Sequence, residues 1–306
     1  MMYNRRKFLT LAASTVALVF PSMAYAQQAT WRLSAAASPT DQRAIALMDV
    51  FAPAVSTVAK LETHWNGELV KQGTELDAIG RGNLEMAITS AQEIANVIPE
   101  FSIFAAGYLH RDAEHQVRVF SAPFMVPLKK KAEQLLGVKL LSVMYLGRRH
   151  LNLTTEQEVK TPADLAGVRL RMPASDSWQF MGKALGASPL PLPFNEVFMN
   201  LSAGTIDGQD NPLPTNKDSR FHEVTKQIVL TSHLVDFNYL ALSLKVWDAL
   251  TPEQQTQVQK AADDAAESGR KKQLALETEL VQFFKDQGLK VYEPDLVAFR
   301  NHVQKV

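Results

Sequence analysis

Apolar positions in the first part of the chain repeat at two different spacings. Residues 30–34 read as a strand, and residues 61–65 and 84–88 alternate in the same way. Between them, residues 41–60 carry apolar side chains at helical spacing and predict an amphipathic helix, and residues 75–81 predict a shorter one that ends at Gly82. Strands that alternate with helices are typical of an α/β domain with a largely parallel sheet.

A second series of the same kind follows. Residues 138–145 and 168–173 predict strands, and residues 176–185 and 194–203 predict helices that end at glycines. Residues 205–207 predict a short strand after the second helix. The alternation therefore starts again after the first third of the chain, which favours a second α/β domain.

The last part of the chain predicts return strands and one long helix. Residues 228–231 and 239–243 read as strands that bring the chain back to the first domain. Thr251, Pro252 and Gln254 form a strong helix start, and the helical pattern then extends to residue 287. At 1.5 Å per residue such a helix spans about 50 Å, so it either breaks near Gly269 or lies across two domains.

Together these patterns predict two α/β domains joined by hinge strands, with the long helix across both. We place the first domain at residues 27–148 plus about 237–276. The second domain then comprises residues 149–236 plus about 277–306. No Gly/Ser-rich linker separates the halves, which favours crossing strands as the connection.

The first 26 residues predict a secretory signal peptide. Arg5, Arg6 and Lys7 precede an apolar run over residues 8–20, and a small-residue site follows at residues 24–26. The two arginines before Phe8 favour the twin-arginine export route, and a Sec signal remains the alternative. We expect cleavage after Ala26 and a periplasmic location.

Composition excludes several functional classes. Hydrophobic residues make up 46% and charged residues 21%, which are globular values, while 32 basic residues balance 32 acidic ones. That balance argues against nucleic-acid binding. The absence of cysteine excludes disulfides, cysteine-ligated zinc, thiol catalysis and iron–sulfur clusters. No nucleophile elbow, zincin motif or phosphate loop occurs either, so we expect no cofactor, no metal and no catalysis.

An arginine pair is the main candidate for binding chemistry. Arg169 and Arg171 alternate with apolar residues on the predicted strand that ends at Pro173. In two-domain α/β proteins, strand ends open onto the cleft where ligands bind. A guanidinium placed there holds a carboxylate through two hydrogen bonds and keeps its charge. A surface salt bridge is the alternative interpretation of the same spacing.

Several spaced segments resemble the DctP-type substrate-binding proteins of tripartite ATP-independent periplasmic (TRAP) transporters. The likeness covers nearly all of the chain after the signal peptide. The segments that carry it are Gly82-Asn83-Leu84-Glu85-Met86-Ala87, Gly147-Arg148-Arg149-His150, Leu165-Ala166-Gly167-Val168-Arg169-Leu170-Arg171-Met172-Pro173, Leu185-Gly186-Ala187-Ser188-Pro189, Phe194-Asn195-Glu196-Val197-Phe198 and Gly204-Thr205-Ile206-Asp207-Gly208-Gln209-Asp210-Asn211-Pro212.

The resemblance implies a periplasmic binding protein fold and a solute receptor for a small organic acid. Arg171 would hold the carboxylate, Arg149 would supply a second cation, and Asn211 would donate a hydrogen bond. Further ligand-binding candidates are Gln72, Glu75 and Trp178. The receptor would act as a monomer and deliver a C4-dicarboxylate, sugar acid or related acid to small and large membrane subunits.

Two features of the sequence depart from the family pattern. The acid of the family's E-N-P motif is Asp210 here, and the chain stops at Val306, where family members usually continue. We therefore expect apolar surface to be left exposed near a last helix with apolar positions Leu296, Phe299 and Val303.

Two other functions are alternatives to the solute receptor: a binding module that feeds a sensor kinase and a periplasmic enzyme.

Overall fold

A computed structural model describes residues 28–306, and the predicted signal peptide lies outside them. The fold is α/β, with nine strands in one mixed sheet in the order β2-β1-β3-β8-β4-β7-β5-β6 and with β9 paired to β8. The strands are β1 Ala29–Ser34, β2 Ala59–His64, β3 Met86–Ser90, β4 Val138–Leu153, β5 Arg169–Met172, β6 Ser188–Pro191, β7 Gly208–Asn211, β8 Gln227–Ser243 and β9 Lys290–Tyr292.

Helices cover both faces of this sheet. None of those in the described part of the chain is long and apolar enough to span a bilayer. The α-helices are α1 Gln42–Ala46, α2 Ala52–Ala54, α3 Glu75–Gly80, α4 Ala91–Ile94, α5 Ala113–Ser121, α6 Met125–Leu136, α7 Asp176–Ala184, α8 Val197–Ser202, α9 Leu213–Asp218, α10 Leu244–Asp248, α11 Pro252–Asp286 and α12 Leu296–Val303.

The buried apolar side chains fall into separate clusters, which define two lobes. Lobe I contains two clusters built from residues 31–144 and 237–266, one on each face of its part of the sheet. Lobe II contains three clusters built from residues 151–234 and 280–303. The long antiparallel strands β4 and β8 run through both lobes, and α11 contributes buried residues to each. The exact domain boundaries stay a prediction.

The predicted helix over residues 41–60 is shorter than expected. It begins after Asp41, loosens into a π-helical turn at Leu47–Phe51 and ends at Ala54. Residues from Ala59 onward pair with β1 instead. Val55 lies after the end of the helix but is buried in the lobe I core. Its spacing from the earlier apolar residues therefore reflects burial and not a continuation of the helix.

The prediction of a short strand over residues 205–207 is wrong, because the strand begins three positions later, at Gly208. The strand is β7, and its sequence Gly-Gln-Asp-Asn contains no apolar side chain although all four residues are buried. It pairs with β4 on one side and with β5 on the other. A strand that is polar throughout gives no alternating signal, so its position depends on its neighbours.

The strands between the lobes are also longer than the sequence indicated. β4 is a single strand of 16 residues and β8 one of 17, where the pattern predicted shorter pieces. Their pairing shifts register at three points, between Leu140/Ser142, Tyr145/Gly147 and Arg149/Leu151. Bulges of this kind interrupt the alternation of side chains and bend the strands.

The long helix α11 is confirmed and runs unbroken for 35 residues. Its capping box joins Thr251 and Gln254 as predicted. Gly269 does not break it, because α1 packs directly against this position. A Cβ atom there would lie 3.3 Å from both the Ala46 Cβ and the Gln42 carbonyl oxygen.

Gly147 allows β4 to cross between the lobes, and its substitution tests this. Its φ is +131°, and an added Cβ would lie 2.6 Å from Glu277 Oε1 and 2.7 Å from Pro212 Cβ. We expect Gly147→Ala to lower the free energy of unfolding by about 3 kcal/mol, from backbone strain plus overpacking. Gly82→Ala is the control, since φ is +76° but nothing lies within 4 Å of the new Cβ. Denaturant titration that finds equal losses would contradict the crowding.

Candidate functional site

A narrow cavity between the lobes brings together all of the predicted site residues. The centres of water-sized molecules can occupy about 80 Å³ within it. Gln72, Glu75, Arg149, Arg171, Trp178 and Asn211 all line it. Their binding roles stay predictions, but the positions agree with a shared site.

Arg171 is fully buried at the cavity and lacks an anionic partner. Strand β5 lies between β6 and β7 in parallel pairing, so the side chain leaves the sheet inside the molecule. Its Nε donates to the Leu192 carbonyl oxygen at 2.7 Å and its Nη2 to Gln72 Oε1 at 3.0 Å. A guanidinium has five N–H donors, so three find no acceptor among the described residues.

Arg169, two residues earlier on the same strand, forms a surface salt bridge instead. Arg169 is exposed and forms an ion pair with Asp207 at 2.6 Å. The surface salt bridge considered for both arginines is therefore formed by this one only.

The charge on Arg171 is costly for the unliganded site. Burial, together with the charge of Arg149, lowers the pKa of Arg171 to about 9, so the group stays protonated at neutral pH. No carboxylate of residues 28–306 forms an ion pair with it. A buried cation without a counterion is unfavourable, and an incoming carboxylate would relieve that cost.

Arg149 is buried to a similar extent, but its charge is already compensated. Its Nε donates to Asp210 Oδ2 at 2.7 Å and its Nη1 to Asp236 Oδ2 at 2.8 Å. Although burial alone would lower the pKa of Arg149, the charges of Asp210 and Asp236 raise it. Its guanidinium also stacks on the Trp178 ring, 4.5 Å from the centroid. Arg149 therefore forms part of the cavity wall.

A buried polar chain extends from this wall into lobe II. His233 Nε2 lies 3.0 Å from Asp210 Oδ2, and its Nδ1 lies 2.8 Å from Thr231 Oγ1. The cation of Arg149 and the hydrogen bonds with His233 hold the pKa of Asp210 below its usual range, against the effect of burial. The chain ties β4, β7 and β8 together where they cross.

Asn211 is fixed in an orientation that leaves one side of its amide free. Its Nδ2 donates to Gln209 Oε1 at 2.6 Å, and Gln209 Nε2 donates in turn to Asn216 Oδ1 at 2.8 Å. This network of buried amides holds Asn211 at the end of β7, where it lines the cavity. Its Oδ1 has no donor among the described side chains.

Two acidic side chains of lobe I face the same cavity. Glu75 Oε2 accepts the Gly73 N–H at 2.7 Å, while Glu93 Oε2 accepts the Ser90 N–H at 2.9 Å. Burial, and then the charge of Glu93, raise the pKa of Glu75 to about 9. Burial also raises the pKa of Glu93. A protonated carboxyl can donate a hydrogen bond, so the pair suits hydroxyl groups better than a second anion.

Sequence reasoning missed several residues of the site. The largest omissions are the partners of Arg149, which lie 61 and 87 positions away. One signal was available for Asp236, because a charged residue inside the apolar run of β8 is unusual unless it is paired. Among residues 28–306, no group of three or more His, Cys, Asp or Glu side chains could hold a metal ion.

Comparison with known proteins gives consistent matches over nearly the whole chain. The DctP sequence model, described as "Bacterial extracellular solute-binding protein, family 7", matches residues 34–306. The curated sialic acid-binding periplasmic protein SiaP of Vibrio cholerae is 29% identical over 245 residues, which is 80% of this chain and 76% of that protein.

Two solved structures are similar in fold. A TRAP periplasmic solute binding protein from Roseobacter denitrificans with bound 3-deoxy-D-manno-oct-2-ulosonic acid is 60% identical, with a TM-score of 0.90 over 91% of this chain and 92% of that chain. Another from the same organism, with bound L-galactonate, is 28% identical, with a TM-score of 0.85 over 91% and 93% of the two chains.

Removal of the charge should destabilise the unliganded protein much more at Arg149 than at Arg171. Arg149→Met leaves Asp210 and Asp236 buried without a cation, and we expect it to lower the free energy of unfolding by about 3–5 kcal/mol. Arg171→Met removes an uncompensated cation, so the free energy of unfolding of the unliganded protein should fall by less than about 1 kcal/mol or should rise. Denaturant titration of both variants without ligand measures the difference, and a reversed order would contradict these assignments.

Proposed function

The chain belongs to the DctP family of bacterial extracellular solute-binding proteins, family 7, and on that basis we propose that it is a TRAP receptor for a sugar acid. Membership confirms the resemblance noted in the sequence. The family and the two similar structures from Roseobacter denitrificans are solute-binding proteins and not enzymes. The protein would bind its ligand without changing it and deliver it to small and large membrane subunits.

One observation carries this proposal: the buried guanidinium of Arg171 has three unused N–H donors and no carboxylate partner among the described residues. Two parallel N–H groups match the two oxygens of a carboxylate. The binding energy is then large because the anion replaces a missing counterion inside a site shielded from water.

The rest of the cavity supports a ligand rich in hydroxyl groups. Around Arg171 the lining consists largely of hydrogen-bonding side chains such as Glu75, Glu93, Asn211 and Asn238. The relative that shares 60% identity holds an eight-carbon 3-deoxy-2-ulosonic acid. We therefore propose a monocarboxylate with a polyhydroxyl tail, and 3-deoxy-D-manno-oct-2-ulosonate as the first ligand to test.

Gln72 supplies the proposed closing contact between the lobes. It lies in lobe I, and its Oε1 accepts both the Arg171 Nη2–H at 3.0 Å and the Phe194 backbone N–H at 2.9 Å. Arg171 and Phe194 both belong to lobe II. A ligand that binds groups of both lobes would favour this closed arrangement through its differential contacts.

We further propose that the receptor is exported to the periplasm, with cleavage after Ala26. The support is the charged, apolar and small-residue pattern of the first 26 residues, together with membership in an extracellular family. We also expect the receptor to act as a monomer.

Calorimetry with a panel of acids tests the ligand and its clamp. We expect 3-deoxy-D-manno-oct-2-ulosonate to bind more tightly than succinate, and to be recovered unchanged afterwards. Arg171→Lys keeps the charge but loses the planar fork, and should weaken binding by about 1.5–3 kcal/mol. Arg169→Lys is the matched control on the same strand, and its affinity should not change, because Arg169 is exposed and pairs with Asp207.

Three results would count against this function. Equal affinity in the Arg171→Lys variant would exclude the clamp, and turnover of the acid would indicate an enzyme. Loss of a signalling response rather than of uptake, in cells that lack the protein, would favour a receptor for a sensor kinase.

Removal of the Gln72 side chain tests the closing contact. Gln72→Ala loses both hydrogen bonds across the cleft, so the closed state should be less populated and ligand affinity should fall about tenfold. Gln282→Ala is the control, since Gln282 is an exposed residue of α11 whose side chain, within the described part of the chain, bonds only Asp286. Calorimetry gives the affinity, and scattering gives the radius of gyration with and without ligand. Unchanged affinity would remove Gln72 from the mechanism.

A further inference from the structure

Helix α9 presents a pair of polar side chains to the cavity that the proposed clamp does not use. Thr215 and Asp218 are three residues apart, so they lie on the same face of the helix, and both line the cavity. Neither belongs to the network of buried amides around Asn211.

Thr215 carries a buried hydroxyl without a partner. The residue is 7% exposed, and its Oγ1 makes no hydrogen bond with residues 28–306. A helical threonine can usually satisfy its hydroxyl through the carbonyl one turn earlier, but here it does not. An unsatisfied buried hydroxyl lowers the free energy of unfolding by about 1–3 kcal/mol. The Thr215 hydroxyl therefore does not stabilise the fold.

Asp218 is a carboxyl group at the same place that has no hydrogen-bond partner among residues 28–306. It is partly buried, and burial, followed by the charge of Asp41, raises its pKa to about 7. Lys217 points to the Phe283 ring instead, 5.1 Å from its centroid. The carboxyl group of Asp218 is therefore available to form hydrogen bonds with a ligand in the cavity.

The opposite wall of lobe I does not neutralise this carboxylate. Arg43 donates to Asp41 through Nε at 2.9 Å and through Nη2 at 2.7 Å, and its Nη1 bonds the Asn238 side-chain oxygen. All three residues line the cavity. Each nitrogen of the Arg43 guanidinium thus donates a hydrogen bond, whereas the Asn238 Nδ2 donates none among the described residues.

This set is separate from the carboxylate clamp in its contacts. Arg171 bonds Leu192 and Gln72, whereas Arg43 bonds Asp41 and Asn238, and the two groups share no hydrogen-bond partner among the described residues. The cavity therefore has a cationic end and a second end with free acceptors and a free amide donor. Hydroxyl groups both donate and accept, so they match the second end, where the nearby cation, Arg43, is already paired with Asp41.

We propose that Thr215 and Asp218 are specificity-determining residues that bind the terminal hydroxyl groups of the sugar acid. This inference rests on the proposed function, since it needs a carboxylate held at Arg171 and a tail that extends toward α9. The length and hydroxylation of the tail would then decide which sugar acids bind well.

The test compares two ligands that differ in tail length. The probes are 3-deoxy-D-manno-oct-2-ulosonate and 2-keto-3-deoxygluconate, which has the same acid end and a shorter tail. At one hydrogen bond each, Asp218→Asn should weaken binding of the longer acid about tenfold and Thr215→Val about fivefold. The wild-type preference for the longer acid should be about fiftyfold, and the double variant should reduce it to about threefold or less.

A second readout separates binding from folding. Thr215→Val removes an unsatisfied hydroxyl and keeps the shape, so the melting temperature of the unliganded protein should stay the same or rise. A fall would show that the hydroxyl serves the fold and would overturn the assignment. The same conclusion follows if the double variant keeps the full wild-type preference.

Failure of this inference can be told apart from failure of the function. If Arg171→Lys loses binding while the double variant keeps the wild-type preference, only the role of α9 is wrong. If the wild-type protein binds neither acid, both the proposed ligand class and this inference are overturned.

Discussion

The site depends on one buried charge that the protein leaves without a counterion. Arg171 lies inside the molecule with a carbonyl oxygen and an amide oxygen as its only acceptors among the described residues. Neutral acceptors orient a guanidinium but do not balance its charge, and in the proposed function the carboxylate of the ligand supplies the missing anion. Because Gln72 in lobe I is one of these acceptors, the same group would link ligand binding to the contact between the lobes.

Arg149 shows how the fold treats a cation that serves as structure. Two aspartates compensate it, and its ring contact with Trp178 fixes the wall against which a ligand would lie. Buried ion pairs of this kind add little stability by themselves, but each partner is costly to leave alone. The pairs therefore fix the positions of β4, β7 and β8 at the crossing, while Arg171 stays available. At the other end of the cavity, Asp218 and Thr215 are left free in a similar way.

The sequence predicted the local elements where their signals are local. The capping box at Thr251, the helix over α7 and the strand that carries Arg171 all follow from residues close together in the chain. Errors occurred where distant residues decide the outcome. β7 has no apolar residue and is a strand because β4 and β5 flank it. The early helix ends at Ala54 because the following residues pair with β1.

By itself, then, the sequence determined the α/β class, the long helix and the family, and the family motif indicated Arg171 and Arg149 as candidate cations. Only the tertiary structure decided that these two arginines differ. Both are buried, yet the partners of Arg149 lie 61 and 87 positions away, and Arg171 forms no ion pair with an acid among the described residues. Spacing along a chain records which groups are present, whereas pairing of charges depends on which strands meet, and that follows from packing of the whole sheet.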